Sequence, residues 1–135
     1  MKVKKLDHVN IRSERVAETI AFYTDVLGMV AKPFPGGVDT SRGAWIYDDN
    51  DLPIIHLGGF GGQYPGDGQL KSGQEPAFGG GSIHHVALEC DDYQGMLDRL
   101  TSLDLPVFTN AVPQISLRQL FVQDPNGVTL ELNFR

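Results

Sequence analysis

Imidazoles and a carboxylate recur along this chain at matched spacings. His8 stands in LDHVNI and His85 in IHHVAL, an offset of 77; His56 closes LPIIHL and Glu131 stands in VTLEL, an offset of 75. Neutral imidazoles with one carboxylate suit a divalent ion such as Zn, Ni, Co, Mn or Fe(II). A face of two histidines and one carboxylate leaves coordination positions open for substrate or oxygen. A fourth ligand still leaves two positions open on an octahedral ion. A lone histidine or glutamate on a strand is more often a satisfied polar residue, but four at matched positions favour a metal. The expected ligands are therefore His8, His56, His85 and Glu131. Glu131 is the expected base for proton transfer, with His56 as the second candidate.

These side chains need strands to aim them. Period-two alternation puts His8, Asn10 and Arg12 on one face against Val9 and Ile11. The same pattern sets His85, Ala87 and Glu89 against Val86, Leu88 and Cys90, and Thr129, Glu131 and Asn133 against Val128, Leu130, Leu132 and Phe134. Asn10, Arg12, Thr129 and Asn133 thus share the ligands' face and are expected in the substrate pocket. Arg118 joins them as a cation near in sequence, with Arg42 a further candidate. Expected strands cover 3–12, 44–47, 53–57, 82–89, 117–122 and 128–134. Two helices separate them. The first is capped by Ser13, with a stripe of Val16, Ile20, Tyr23 and Leu27 closed by Gly28. The second is capped by Asp91 or Asp92, carries Tyr93, Met96, Leu97, Leu100 and Leu103, and ends before Pro106.

The two halves read alike, as strand, helix, then strands ending in a hairpin. Aligning WIYDDNDLPIIHL with LFVQDPNGVTLEL pairs Trp45 with Leu120 and His56 with Glu131, both at an offset of 75. Ten of the sixteen glycines lie between Gly58 and Ser82, a long connection of the kind that is usually functional or a linker. The expected division is a first module over 1–57, a glycine-rich linker over 58–82 and a second module over 83–135, together one domain.

Composition removes several function classes. At 135 residues the chain is long enough for one real core. One cysteine excludes a disulfide framework and a Cys-based zinc finger. A net charge of −6 and a pI near 5.0 argue against nucleic acid as partner. No apolar run approaches the roughly 20 residues of a membrane span, and no secretory signal is readable, so a cytoplasmic protein is the default expectation. Several other features read as structural. Cys90 is expected to be a buried small hydrophobe and His84 a surface or packing residue. Asp48, Asp49 and Asp51 suggest a solvated hairpin. Phe22, Tyr23 and Tyr93 suggest helix-on-sheet packing, and GGFGG lacks the Lys-Ser/Thr of a phosphate loop.

The opening DHVNI, the restart IHHVAL and the ending DPNGVTLELNF resemble the vicinal oxygen chelate superfamily. That family includes glyoxalase I, methylmalonyl-CoA epimerase, fosfomycin-resistance proteins, extradiol dioxygenases and bleomycin-binding proteins. The likeness covers essentially the whole chain and implies an α+β fold of two tandem βαβββ modules whose sheets form a metal-containing cleft. Family ligands come from the first and last strand of each module, here His8, His56, His85 and Glu131. The implied activity is a divalent-metal-dependent lyase or isomerase acting on a small substrate that chelates the metal through adjacent oxygens. The alternatives are an Fe(II)-dependent ring-cleaving dioxygenase and a non-catalytic small-molecule binder. One departure matters: His56 stands where glyoxalase I-like enzymes carry Glu or Gln, which speaks against ordinary glutathione-dependent glyoxalase I activity. The family also implies a homodimer, with the site formed within one chain or across exchanged modules.

Overall fold

The computed structural model describes residues 1–70 and 75–135. Of the glycine-rich stretch, 71–74 lie outside the described residues. The chain forms two compact units, Met1–Ala77 and Phe78–Arg135. Among the described residues no helix is long and apolar enough to cross a membrane.

The first unit runs β1 (Val9–Arg12), α1 (Val16–Ala21), β2 (Val30–Lys32), β3 (Gly43–Tyr47) and β4 (Ile55–Gly58). Its sheet has the order β1-β4-β3-β2, with β1 and β4 parallel and the other pairs antiparallel. The second unit repeats the plan with β5 (Val86–Glu89), α2 (Tyr93–Ser102), β6 (Phe108–Val112), β7 (Leu117–Gln123) and β8 (Thr129–Phe134), in the order β5-β8-β7-β6. The two βαβββ modules expected of an α+β chain are present. The short strands β2 and β6 escape a pattern reading for a shared reason. Both are outer strands with mostly exposed side chains, so neither shows an apolar alternation.

Each sheet buries one face. In the first unit Ile11, Ala44, Ile46, Ile55 and Leu57 point to the apolar side, where Phe22 and Tyr23 of the helical segment are also buried. In the second, Leu120, Val122, Leu130, Leu132 and Phe134 join Leu100 of α2, and the Tyr93 ring meets Phe134 edge-on at 5.3 Å. Each fully buried side chain of this size contributes about 1.5–3 kcal/mol relative to leaving it in water. Helix α2 starts as expected at Asp92, whose carboxylate accepts from the Gly95 backbone N–H at 3.0 Å.

Helix α1 departs from expectation. The Ser13 hydroxyl accepts from Arg15 N at 2.8 Å and does not cap the helix, which begins at Val16. The Thr19 and Thr24 hydroxyls donate back to the carbonyls of Arg15 and Ile20, a pattern that bends helices. The helix then widens into a π-helical turn over Phe22–Val26, with Leu27 N bonded to Phe22 O at 3.2 Å. The buried face is therefore Thr19, Phe22 and Tyr23, while Val16, Ile20 and Leu27 are half-buried.

Strand register corrects one pairing of the repeat. Trp45 lies opposite His56, whereas the residue opposite Glu131 is Phe121. Trp45 thus corresponds to Phe121 rather than Leu120, because the β3–β4 hairpin is one residue longer than the β7–β8 hairpin. Both hairpins use one device. Asp48 Oδ1 accepts from the backbone N–H groups of Asn50 and Leu52, each at 2.9 Å. Asp124 Oδ1 accepts from those of Asn126 and Val128 at 2.8 and 3.0 Å. Asp124 is 4% exposed, so Asp124→Ala leaves two hydrogen-bond donors without their acceptor at a covered turn. The substitution should cost about 1–3 kcal/mol, read as a lower urea midpoint at unchanged m-value.

Candidate functional site

In each unit the expected ligands meet as a pair on the polar side of the sheet. His8 directly precedes β1, and His56 sits in β4 opposite Asn10. Their rings stack with centroids 3.7 Å apart and planes at 14°. Trp45 of β3 stacks on His56 at 4.2 Å and 8°, so His56 is held between two aromatic planes. The Nδ1 of His8 lies 2.7 Å from Asp7 Oδ2, an arrangement that leaves Nε2 as the lone-pair nitrogen. That hydrogen bond holds the Asp7 carboxyl below its ordinary value.

The second unit pairs His85 with Glu131. His85 Nε2 lies 3.2 Å from Glu131 Oε2, and the Phe121 ring stands edge-on to His85 at 6.3 Å. His84 Nδ1 lies 3.0 Å from His85 Nδ1, closer than alternation allows, because both residues precede β5 and escape its pleat. The other Glu131 oxygen, Oε1, accepts from Gln119 Nε2 at 2.7 Å. The same nitrogen donates to Asn133 Oδ1 at 3.0 Å, and Gln119 Oε1 accepts from Asn110 Nδ2 at 2.6 Å. Sequence reasoning missed Gln119 and Asn110. The hairpin register alone could have placed Gln119 opposite Asn133, but Asn110 lies on a strand with no readable pattern.

Among the described residues no group of three or more His, Cys, Asp or Glu is assembled, so the donors stand as two pairs. Their chemistry fits a divalent ion. Burial first, then the neighbouring His8, push His56 below the ordinary histidine value, outweighing a hydrogen bond to the Pro53 backbone and the charge on Asp7; this favours the neutral, ligating form. Among the described residues His56 Nε2 is buried with no hydrogen-bond partner. The 3.2 Å between His85 Nε2 and Glu131 Oε2 is close to the span of two neighbouring ligand atoms, each about 2.1 Å from one ion at roughly right angles.

A cleft of about 870 Å³ opens over the polar face of the first sheet. Asn10, Trp45 and His56 line it from the strands, Phe34, Phe60 and Tyr64 add aromatic walls, and Arg42 stands among its lining residues. The Gly58–Pro65 segment, expected as linker, forms one wall within the first unit. Gly58 is required there: a Cβ would fall on the Tyr64 hydroxyl. Arg12 secures this wall. Its side chain, 9% exposed, lies 4.2 Å from the centre of the Tyr64 ring and 4.8 Å from that of Phe60. It also donates to Gly62 O at 3.2 Å and reaches Asp67 at 3.5 Å.

The remaining expected pocket residues divide between the faces. Thr129 accepts from Gln123 at 3.3 Å, and Asn133 is buried within the Gln119 network. Arg118 is on the other side of its sheet, alternating with Gln119 and packed 4.0 Å over the Tyr93 ring of α2. Its expected place beside the ligands is corrected by the strand's own pleat, since proximity in sequence carries no face. Cys90 is half-buried, its thiol pushed up to about 11 by burial and by Asp91 and Glu89.

Two outcomes follow from these environments. With its proton that tightly held, Cys90 has on the order of one part in a thousand thiolate at pH 8. Iodoacetamide labelling should be slow at pH 8 and rise about tenfold per pH unit until it levels off near pH 11, read by mass spectrometry. For His56, the folded value lies below the unfolded one, so the unfolded chain binds the proton more tightly. Its contribution to stability is complete above about pH 6.5 and is lost as pH falls through the folded value. His56→Phe keeps a ring in the stack without the titration. The loss of urea midpoint between pH 7 and pH 5 should be smaller in that variant, and an equal loss would contradict this account.

Known proteins share this architecture. Residues 5–132 match the family model described as Glyoxalase/Bleomycin resistance protein/Dioxygenase superfamily. The protein YwbC of Bacillus subtilis (strain 168), itself uncharacterised, is 22% identical over 133 residues, 95% of each chain. Among solved structures, virulence protein STM3117 from Salmonella typhimurium superposes with a TM-score of 0.71 at 15% identity, covering 99% of this chain and 98% of its own. Lactoylglutathione lyase from Agrobacterium tumefaciens gives 0.66 at 14% identity, with 99% and 96% covered. With its family model matched from end to end of both modules, the chain belongs to the glyoxalase/bleomycin resistance protein/dioxygenase superfamily.

Proposed function

We propose that the protein is a divalent-metal-dependent lyase or isomerase acting on a small substrate that binds through two adjacent oxygens. One observation carries the reading: His56 and Glu131 occupy equivalent register positions in two sheets of identical strand order, and His8 and His85 each directly precede the strand that pairs alongside. In this reading the two pairs are the halves of one ligand set. Bound by them, a divalent ion would supply a Lewis acid for the two substrate oxygens and the negative charge that develops on them.

The chain's own residues divide the remaining work. Glu131, the single carboxylate of the set, takes the substrate proton on Oε2 when that oxygen leaves its ligand position, and then returns it. His56, the second candidate base, keeps to ligation, because Trp45 and His8 hold its ring between them. Asp7 orients His8. The aromatic cleft receives the body of the substrate, with Asn10 reaching its polar end. Arg12 is engaged with Asp67, Phe60 and Tyr64, and among the described residues Arg42 is the sole Lys or Arg lining the cleft. That favours a substrate with at most one carboxylate over a glutathione conjugate.

The test strips the protein with chelator, reloads it anaerobically with Ni, Zn, Co, Mn or Fe(II), and offers a diol, an α-keto hemithioacetal and a catechol beside an oxygen electrode. Turnover with Ni, Zn or Co and no oxygen uptake is expected. Glu131→Gln should then lower kcat by about 100-fold or more with little change in KM. Strict Fe(II) dependence with stoichiometric oxygen uptake would replace this reading with a ring-cleaving dioxygenase. Unchanged ligand binding in the His8→Ala, Glu131→Ala double variant, without bound metal, would replace it with a binding protein. We further propose a homodimer; a monomer mass by light scattering would count against it.

A further inference from the structure

Glu131 is gripped on one side only. Its Oε2 faces His85 Nε2, while its Oε1 accepts from Gln119 Nε2 at 2.7 Å. An ionised carboxylate only accepts hydrogen bonds, so this contact sets which way the Gln119 amide points. The Gln119 Oε1 must then accept, and Asn110 Nδ2 supplies the donor at 2.6 Å. Gln119 Nε2 also reaches Asn133 Oδ1 at 3.0 Å. The amide therefore has acceptors for its protons and a donor for its oxygen. Gln119 is 7% exposed and Asn133 is 9% exposed, so water does not compete freely at these two side chains, while Asn110 at the outer end of the row is exposed.

Backbone register keeps the chain of amides in place. Asn110 and Gln119 are direct partners between β6 and β7, Gln119 and Asn133 are direct partners between β7 and β8, and Glu131 lies two residues along β8 on the same face. The row runs across three strands and ends at one carboxylate oxygen. Among the described residues the first unit has no such row at the matching place, where Gly43 pairs with Gly58. There His56 is fixed by stacking on Trp45 and His8.

We propose that Gln119, oriented by Asn110, is a positioning residue that pins Glu131 Oε1 and so presents Oε2 alone to the ligand site. The carboxylate is thereby held in one rotamer and offers one oxygen for ligation or proton transfer, and the other cannot swing in as a second ligand without breaking its hydrogen bond from Gln119. This rests on the reading of Glu131 as a ligand carboxylate, and the test separates the two.

Gln119→Met keeps the side chain's length and removes both amide functions, and its urea midpoint shows whether the fold is intact. Co(II) is the metal probe, titrated into four proteins: wild type, Gln119→Met, Glu131→Ala and the double variant. Loss of the amide should weaken Co(II) binding about 10-fold or more in the wild-type background and change its visible spectrum, as expected when the partner of a ligand is removed. In the Glu131→Ala background the same substitution should change affinity less than twofold, because its effect passes through Glu131. An equal loss in both backgrounds would overturn the proposal and leave Gln119 a purely structural residue.

A second readout needs no metal. In the metal-free protein the Gln119 side-chain amide protons should exchange slowly by NMR and accelerate at least 10-fold in Glu131→Ala. Exchange as fast as that of the exposed Gln63, or no response to Glu131→Ala, would also overturn it. Should wild type bind no Co(II), the metal reading fails by itself, and amide exchange still decides whether Gln119 positions Glu131.

Discussion

The pairing of the outer strand with the strand beside it, β1 with β4 and β5 with β8, governs everything else in each unit. In both pairs the strands are parallel, and a shift of one residue would turn every side chain of the shifted strand to the other face. His56 would then enter the helix-covered core beside Tyr23, and Glu131 would take the place of Leu132. Either change buries a polar group without a partner, at a cost of several kcal/mol. The apolar residues that seal the helix side therefore hold the register. They hold the polar face with it, without themselves touching the site.

The two units solve one positioning problem by different chemistry. In the first, aromatic planes immobilise an imidazole: His8, His56 and Trp45 stack in succession, and His56 keeps its Nε2 without a partner among the described residues. In the second, hydrogen bonds immobilise a carboxylate through Gln119, Asn110 and Asn133. The difference follows from the groups being held. A neutral ring is fixed well by flat apolar contact, which places no demand on its nitrogens. A carboxylate needs donors, and a buried one needs them fully supplied.

The cleft over the first sheet is walled largely by the segment after β4. Glycines let it lie against the strand, and Arg12, itself a β1 residue, fastens it by two aromatic contacts, an ion pair and a backbone bond. A cation on the ligands' face thus acts as a bolt for the cleft wall. The same side chain read from sequence suggested a place in the substrate pocket, since both roles need the same residue on the same face.

The sequence by itself determined the duplication, the sides on which Leu130, Leu132 and Glu131 fall, and the matching of His8 with His85 and of His56 with Glu131. These are properties of a two-residue period and a repeated order, which a linear string carries in full. The outer strands β2 and β6 stayed hidden because their side chains are largely exposed and need no apolar pattern. Trp45 corresponds to Phe121 and not Leu120 because the first hairpin carries one extra residue between Leu52 and His56, after a turn of the same span in both, and no side-chain pattern marks it. The turn of α1 toward Thr19, Phe22 and Tyr23, the ring stack on His56, the Arg12 bolt and the amide row behind Glu131 were decided only in three dimensions. Each joins residues on different strands or loops, and such partners are chosen by packing and hydrogen-bond satisfaction, which act between segments and leave no mark at any one position.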